Sequence, residues 1–346
     1  MKVLTVTKPY KAEFSEIEKP VPTGKMMLVK VKRTGVCATD LSIFTGESSF
    51  VRSGEITYPV RFGHEWSGVV EAVGEDVKNF KVGDRVFSDS GISCGECEAC
   101  NDGRYDECGF IRSVGTINAW EGCYAEYMVI PEYNAYHIAD GVSFDEAALI
   151  EPAAVSYDAF SDFEMKPDMT VAVIGIGAIG MSAIWLAKYF GAKSVIAVGR
   201  NNKKLEIASK IGADVLVNNK ETDPVEAVLN ATNGKGADLV IEAAGAESAL
   251  VQAIKMVKKE GRISIVSFYE KDITVPMDEV VIRKICVKGA AGRFENPGKV
   301  CKIMSEYETK LTPIITHKVP FSECVDVFEN KEKYHNEKIK IMVEFE

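Results

Sequence analysis

Four cysteines, Cys94, Cys97, Cys100 and Cys108, fall in the polar run CGECEACNDGRYDEC at the spacing C-x2-C-x2-C-x7-C. The chain has nine cysteines in all. An odd total is no disulfide framework, so spacing carries more information than count. Four thiolates on one short loop can close a tetrahedral zinc shell with no open position and hence no chemistry. An iron–sulfur cluster also uses a C-x2-C-x2-C run, and a dithiol redox pair needs only two of the four.

A second group of reactive types is dispersed. GVCATD supplies Cys37, Thr39 and Asp40, GHEWSG supplies His64 and Glu65, and LIEP supplies Glu151. A lone cysteine is usually a small hydrophobe and a lone histidine a hydrogen-bonded core residue. One thiolate, one imidazole and one carboxylate with a water in the remaining place would make an open, catalytic zinc site. No local spacing rule links these positions.

The third group is GIGAIG, Gly175–Gly180, which includes Ala178 and Ile179. It closes an apolar strand and opens a helix inside a βαβ unit, the context a dinucleotide cradle requires. Gly175 makes the turn, Gly177 lets backbone N–H groups approach a pyrophosphate, and Gly180 lets helix and strand pack closely. The next strand, SVIAV, ends without the Asp or Glu that would hold the ribose 2′-OH of NAD. Gly199 and Arg200 follow, with Lys203 and Lys204 one helical turn on. A guanidinium there can pair with a 2′-phosphate, so the expected cofactor is NADP(H) in preference to NAD(H).

These residues need elements to position them. From Met1 to about Pro152, short alternating runs bounded by turn residues predict strands over Met26–Gly35, Trp66–Gly74 and Val82–Gly91. After Met165 the texture changes. Strand Thr170–Gly175, helix Ala178–Phe190 and strand SVIAV open a series that continues with a helix around Lys203–Ile211 and strand VLV. A helix from Pro224, strand ADLVIEAAG, a helix around Ser248–Lys258 and strand RISIVSF complete it. Strands alternating with helices predict a doubly wound parallel sheet. The tail, from Arg293, ends in the alternating KIKIMVEF and is expected to return to the N-terminal β domain. The boundaries expected are 1–153 with 293–346 for the β-rich domain and 154–292 for the dinucleotide domain.

Bulk properties exclude some classes. With 346 residues, 46% hydrophobic and 27% charged, the chain is of the folded globular kind. A formal charge of −10 without a long basic run argues against nucleic acid or an anionic membrane as partner. No stretch approaches a membrane span and the N-terminus lacks an apolar signal region, so a cytoplasmic location is the expectation.

Taken in order, Cys37-x-Thr39-Asp40, Gly63-His64-Glu65-x2-Gly68-x5-Gly74, the four-cysteine loop, Glu151-Pro152 and the glycine cradle resemble the zinc-containing medium-chain dehydrogenase/reductase family over essentially the whole chain. The Glu-Pro glutamate resembles the polyol, sorbitol-type branch. The resemblance implies a GroES-like β domain holding two zinc ions, a Rossmann domain and an active site in the cleft between them. It implies that Cys37, His64 and Glu151 bind a catalytic zinc and that Asp40 fixes the tautomer of His64. Glu65 would then stand behind the metal, screening it or exchanging as a ligand, and Thr39 would bond the reacting oxygen. It implies structural zinc on Cys94, Cys97, Cys100 and Cys108. Two positions depart from the pattern. Ser42 stands where many members place a proton-relay histidine, and Arg293 is followed by Phe294 instead of tyrosine, which leaves Arg293 as a candidate substrate contact. The expected activity is hydride transfer between NADP(H) and a secondary alcohol or ketone, most simply a polyol, sugar or cyclitol. Alternatives are a simple secondary alcohol, diol, amino alcohol or sugar phosphate. A catalytically silent nucleotide-binding relative is disfavoured, because such relatives lose the Cys-His-Glu set. A homodimer or homotetramer is expected.

Overall fold

The Met26–Gly35 strand organises the N-terminal half. It is flanked by Glu65–Val73, Tyr127–Pro131 and the C-terminal strand Lys340–Glu344, all antiparallel to it. Its alternation buries Met27, Val29 and Val31, the period-2 pattern of a strand against a core. Ile315–Pro320, Arg85–Ser88 and Ala135–His137 complete this sheet. The core beneath it gathers Phe62, Trp66, Tyr124, Met128 and Phe328. The structure, a computed structural model, describes residues 1–269, 271–334 and 337–346.

Chain contacts divide the molecule into two units. One comprises 1–151, 297–305 and 315–346, and the other 152–296 and 306–314. Of the tail, residues 297–305 and 315–346 lie in the β-rich unit, whereas 293–296 and 306–314 pack with the second, where Trp185 Nε1 donates to the Thr309 carbonyl at 2.7 Å. That hydrogen bond occupies the polar edge of an indole that is otherwise buried.

The second unit is a six-stranded parallel sheet. Its order is Val215–Asn218, Ser194–Gly199, Thr170–Ile174, Ala237–Glu242, Val257–Ile265 and Cys286–Gly289. The chain starts mid-sheet at Thr170, builds outward one way, then crosses to build the other. This leaves a switch point between Thr170–Ile174 and Ala237–Glu242, where open sheets of this kind bind nucleotides. The helix Ala178–Tyr189 buries Met181 through Ala187 without a break, as a helix packed on every side does.

Several elements differ from the sequence expectation. Val82–Gly91 is not one strand: Gly83 has φ +94°, so pairing begins only at Arg85, stops at Ser88, and resumes at Gly91–Ile92 against Arg112–Ser113. The helix expected over Ser248–Lys258 spans Glu247–Met256, because Val257 already joins the next strand. The helix expected over Lys203–Ile211 starts at Asn202, where the Asn201 side chain caps it by accepting from Lys204 N–H. No described helix is long and apolar enough to cross a membrane.

Candidate metal centres and nucleotide cradle

Antiparallel register brings the dispersed residues together. Gly35 pairs with Glu65, and Met342 pairs with Gly35 on the other side. Cys37, two residues past the first strand, thus meets His64, one residue before the second. Cys37 caps the helix Ala38–Thr45, and its N–H donates to Asp40 Oδ2 at 2.9 Å. Asp40 Oδ1 faces His64 Nδ1 at 3.5 Å. Thr39 Oγ1 lies 3.7 Å from Cys37 Sγ. Ser42 turns away, donating to the Thr39 carbonyl at 2.9 Å.

The ligand atoms of Cys37, His64 and Glu65 lie within 4.8 Å of one another. Glu151 is not in that closest triad, but it shares the field of His64, Glu65 and Lys340, and burial lifts its carboxyl to about 7. Burial opposes a charged His64, yet Cys37 and Asp40 outweigh it and hold the imidazole well above its usual value. Burial likewise raises Asp40, against the pull of His64. Three carboxyls and a thiol thus crowd around one imidazole and one ammonium. Such an excess of acid favours a divalent cation, and the thiol–imidazole–carboxylate donor set suits zinc.

Lys340 is the ammonium. Its Nζ lies 2.7 and 2.5 Å from the two Glu65 oxygens and donates to the Val36 carbonyl at 3.2 Å. Gly35 makes room for this pair: a Cβ there would sit 2.1 Å from Glu65 Oε2.

The four loop sulfurs also lie within 4.8 Å of one another. Cys94 and Cys100 Sγ are 3.8 Å apart, and Cys97 and Cys100 Sγ 3.4 Å. A tetrahedral ion with Zn–S of about 2.3 Å has edges of roughly 3.8 Å, so the spacing fits a single ion. In a four-iron cluster each thiolate holds its own iron and stands farther from the rest. Backbone N–H groups of Cys97 and Phe110 donate to Cys94 and Cys108 sulfur at 3.4 Å, as suits thiolates. Such bonds from Glu96 and Cys97 bring the Cys94 thiol down to about 7.

In the second unit Gly175 has φ +96°, and a Cβ there would lie 2.7 Å from the Ala243 carbonyl oxygen across the switch point. A Cβ on Gly180 would strike the Gly175 carbonyl oxygen at 1.8 Å, whereas one on Gly177 would meet nothing within 4 Å. The turn is therefore packed behind and open where a pyrophosphate would lie, with Gly177 capping the helix that holds Ala178 and Ile179. Gly199 ends the second strand, Arg200 is exposed, and Lys204 feels both burial and the neighbouring Arg200, which lower its pKa. Among the described residues no carboxylate pairs with Arg200 or Lys204.

Comparison with known proteins matches residues 24–140 to the alcohol dehydrogenase GroES-like domain and residues 178–306 to the zinc-binding dehydrogenase family. An L-threonine 3-dehydrogenase of Bacillus subtilis is 35% identical over 322 residues, 92% of this chain and 91% of that protein. The chain belongs to the zinc-type medium-chain dehydrogenase/reductase family. A sorbitol dehydrogenase of Bacillus subtilis is 31% identical over 94% of this dehydrogenase and 92% of its own length. The solved structure of a zinc-binding dehydrogenase from Sinorhizobium meliloti bound to NADP superimposes with a TM-score of 0.90 at 27% identity, covering 99% of this chain and 98% of that one. This dehydrogenase is thus an oxidoreductase of the alcohol dehydrogenase type, with a GroES-like domain and a Rossmann domain.

Two site residues escaped the sequence reading, Lys340 and Tyr124. Alternation in KIKIMVEF assigns Lys340 to a polar face, yet Lys340 through Val343 are all buried. Tyr124 donates its hydroxyl to Asp40 Oδ2 at 3.0 Å, a contact no spacing rule announces. Arg293 lies in the Rossmann unit, its guanidinium 3.0 Å from Asp158 and 3.2 Å from Asp162. Those two carboxylates hold it within its own unit.

Proposed function

We propose that this dehydrogenase is zinc-dependent, prefers NADP(H), and transfers a hydride between the nicotinamide and a secondary hydroxyl of a polyol, sugar or cyclitol, or the matching ketone. The observation that carries the reading is the convergence of Cys37, His64 and Glu65 within 4.8 Å. Zinc bound there supplies a Lewis acid for the substrate oxygen, while the nicotinamide carries the hydride. Cys37, His64 and Glu151 would hold the metal. Asp40, facing Nδ1 of His64, leaves Nε2 as the ligand nitrogen and fixes the tautomer. Thr39 would take the hydroxyl proton. Glu65, held by Lys340, stands by as an exchangeable donor. A second zinc on Cys94, Cys97, Cys100 and Cys108 would brace the loop.

Arg200 and Lys204 support NADP(H), since two cations that pair with no carboxylate among the described residues suit a 2′-phosphate and would be idle beside a ribose hydroxyl. The NADP bound to the Sinorhizobium meliloti relative points the same way. A second reading of the substrate, a 2-amino-3-hydroxy acid, is favoured by the likeness to L-threonine 3-dehydrogenase. Both readings share a secondary hydroxyl beside another polar carbon. Initial rates with NADP+ and NAD+ over sorbitol, other polyols, L-threonine and 2-butanol decide between them. The polyol reading fails if L-threonine or 2-butanol is turned over faster than every polyol, and the cofactor reading fails if NAD+ serves as well as NADP+.

We further propose self-association through the Rossmann edge. The strand Cys286–Gly289 ends the sheet, and Met277, Val281, Ile282 and Val287 beside it are exposed. An unpaired apolar edge favours pairing with a second copy.

A further inference from the structure

We infer that Tyr124 is a positioning residue of the catalytic metal site, holding Asp40 so that Asp40 in turn holds His64. The inference rests on the proposed metal role of Cys37 and His64. Asp40 is fully buried and has two oxygens to satisfy. Oδ2 accepts twice, from Cys37 N–H at 2.9 Å and from the Tyr124 hydroxyl at 3.0 Å. Oδ1 is thereby turned to His64 Nδ1 at 3.5 Å, and among the described residues neither of these buried atoms has a hydrogen-bond partner. With both donors in place the carboxylate is held in one orientation, with Oδ1 facing the imidazole. Without the phenol, only one N–H opposes rotation of the carboxylate, and His64 loses its fixed counterpart.

The tyrosine is itself held. It is 1% exposed, with its ring 4.7 Å from Phe62 and edge-on to Phe328 at 5.5 Å. Its backbone N–H donates to the Phe62 carbonyl at 3.3 Å, and its carbonyl accepts from Leu4 at 2.9 Å. Gly63, adjacent to His64, has φ +91°, and a Cβ there would sit 2.6 Å from the ring. The ring thus fills the space beside the histidine backbone. The other acceptor within reach of the hydroxyl, the Gly35 carbonyl, is more distant at 3.5 Å.

Tyr124→Phe keeps this packing and removes one oxygen. The test follows zinc release from the full chain to a chelator, with Cys37→Ser, which retains only the loop zinc, assigning the two release phases. Tyr124→Phe is expected to speed release from the Cys37–His64 site about tenfold, as loss of a partner behind a metal ligand does. The loop zinc should leave at the wild-type rate, with the thermal midpoint nearly unchanged. Unchanged release from both sites overturns the inference and leaves the metal reading standing. Equal acceleration at both sites also overturns it, because that marks general loosening. A wild-type chain carrying zinc on the loop alone overturns the metal reading and this inference with it.

Discussion

Replacing Lys340 by methionine isolates the buried pair beside the metal ligands. Lysine and methionine have similar volume and flexibility, so packing changes little and the loss is electrostatic. The two side chains are 3% and 1% exposed, so no water replaces the ammonium, and the Glu65 carboxylate is left buried without its partner. Removing one member of such a pair costs about 3–5 kcal/mol. For a unit of this size 1 kcal/mol moves the thermal midpoint by roughly 2–4 °C, so a fall of about 6–20 °C is expected. Adding Glu65→Gln to Lys340→Met removes the stranded charge and should restore most of the loss, since exchanging a whole buried pair for neutral groups is often nearly neutral. Trp66, next to Glu65 and fully buried, gives the readout by fluorescence, in a Trp185→Phe background that silences the Rossmann unit. Burial opposes the charge on Lys340, but Glu65 outweighs it and its pKa is raised. The pair's contribution is then complete below the free-lysine value of about 10.4 and lost as the pH rises through the folded value. The deficit of Lys340→Met should therefore be flat between about pH 6 and about pH 9. A loss under about 1 kcal/mol, or a double variant no more stable than the single one, refutes the reasoning.

Elemental analysis should find two zinc ions per chain. Cys37→Ser should abolish turnover and retain one zinc in a folded protein, whereas Cys100→Ser should lower stability outright, because a closed thiolate site contributes folding free energy; iron with visible absorbance would contradict the loop assignment. Arg200→Ala should raise KM for NADP(H) about ten- to a hundredfold, the loss of one charge-assisted contact, and leave NAD(H) nearly unchanged. Asp145 accepts from Arg33 Nε at 2.6 Å and Lys318 Nζ at 2.5 Å; burial works against its charge, but these cations prevail and its pKa is lowered. Its contribution is present above the free value of about 3.9 and lost as the pH falls through the lower folded one, so Asp145→Asn should destabilise at neutral pH by at most about 1 kcal/mol, with the gap closing in acid.

What the sequence discloses depends on the range over which each signal acts. The cradle Gly175–Gly180 and the loop Cys94–Cys108 are local, each made by neighbours in the chain, and the structure brings each together. The Met26–Gly35 strand was legible to the residue because its alternation and its bounding turns agree. Strand register brings Cys37 and His64 together, which no spacing rule announces, and Glu151, on the helix Ile150–Asp158, enters the proposed ligand set only through the order of family motifs. Lys340 and Tyr124 lay beyond both kinds of signal. Each joins the site through a pairing across more than 80 residues of chain, and burial of a lysine inside a closing strand runs against the pattern that predicts strands. The break at Gly83 was missed because an alternating run says nothing about the sign of φ.

The crowding of the four loop sulfurs has a chemical price once metal is gone. With Cys94 brought to about 7 and Cys97 raised to about 11 by the proton it shares with Cys100, despite a backbone N–H from Cys100, the stripped loop presents a thiolate beside protonated thiols at neutral pH. That is the arrangement from which oxidation begins, since the thiolate is the reactive form and a neighbouring thiol is the resolving group. Cys94 and Cys100, 3.8 Å apart, need only a small movement to join. Metal removal in air therefore has a memory. Zinc restored promptly under reducing conditions returns the closed site, whereas zinc restored after oxidation finds two of its four donors spent on each other.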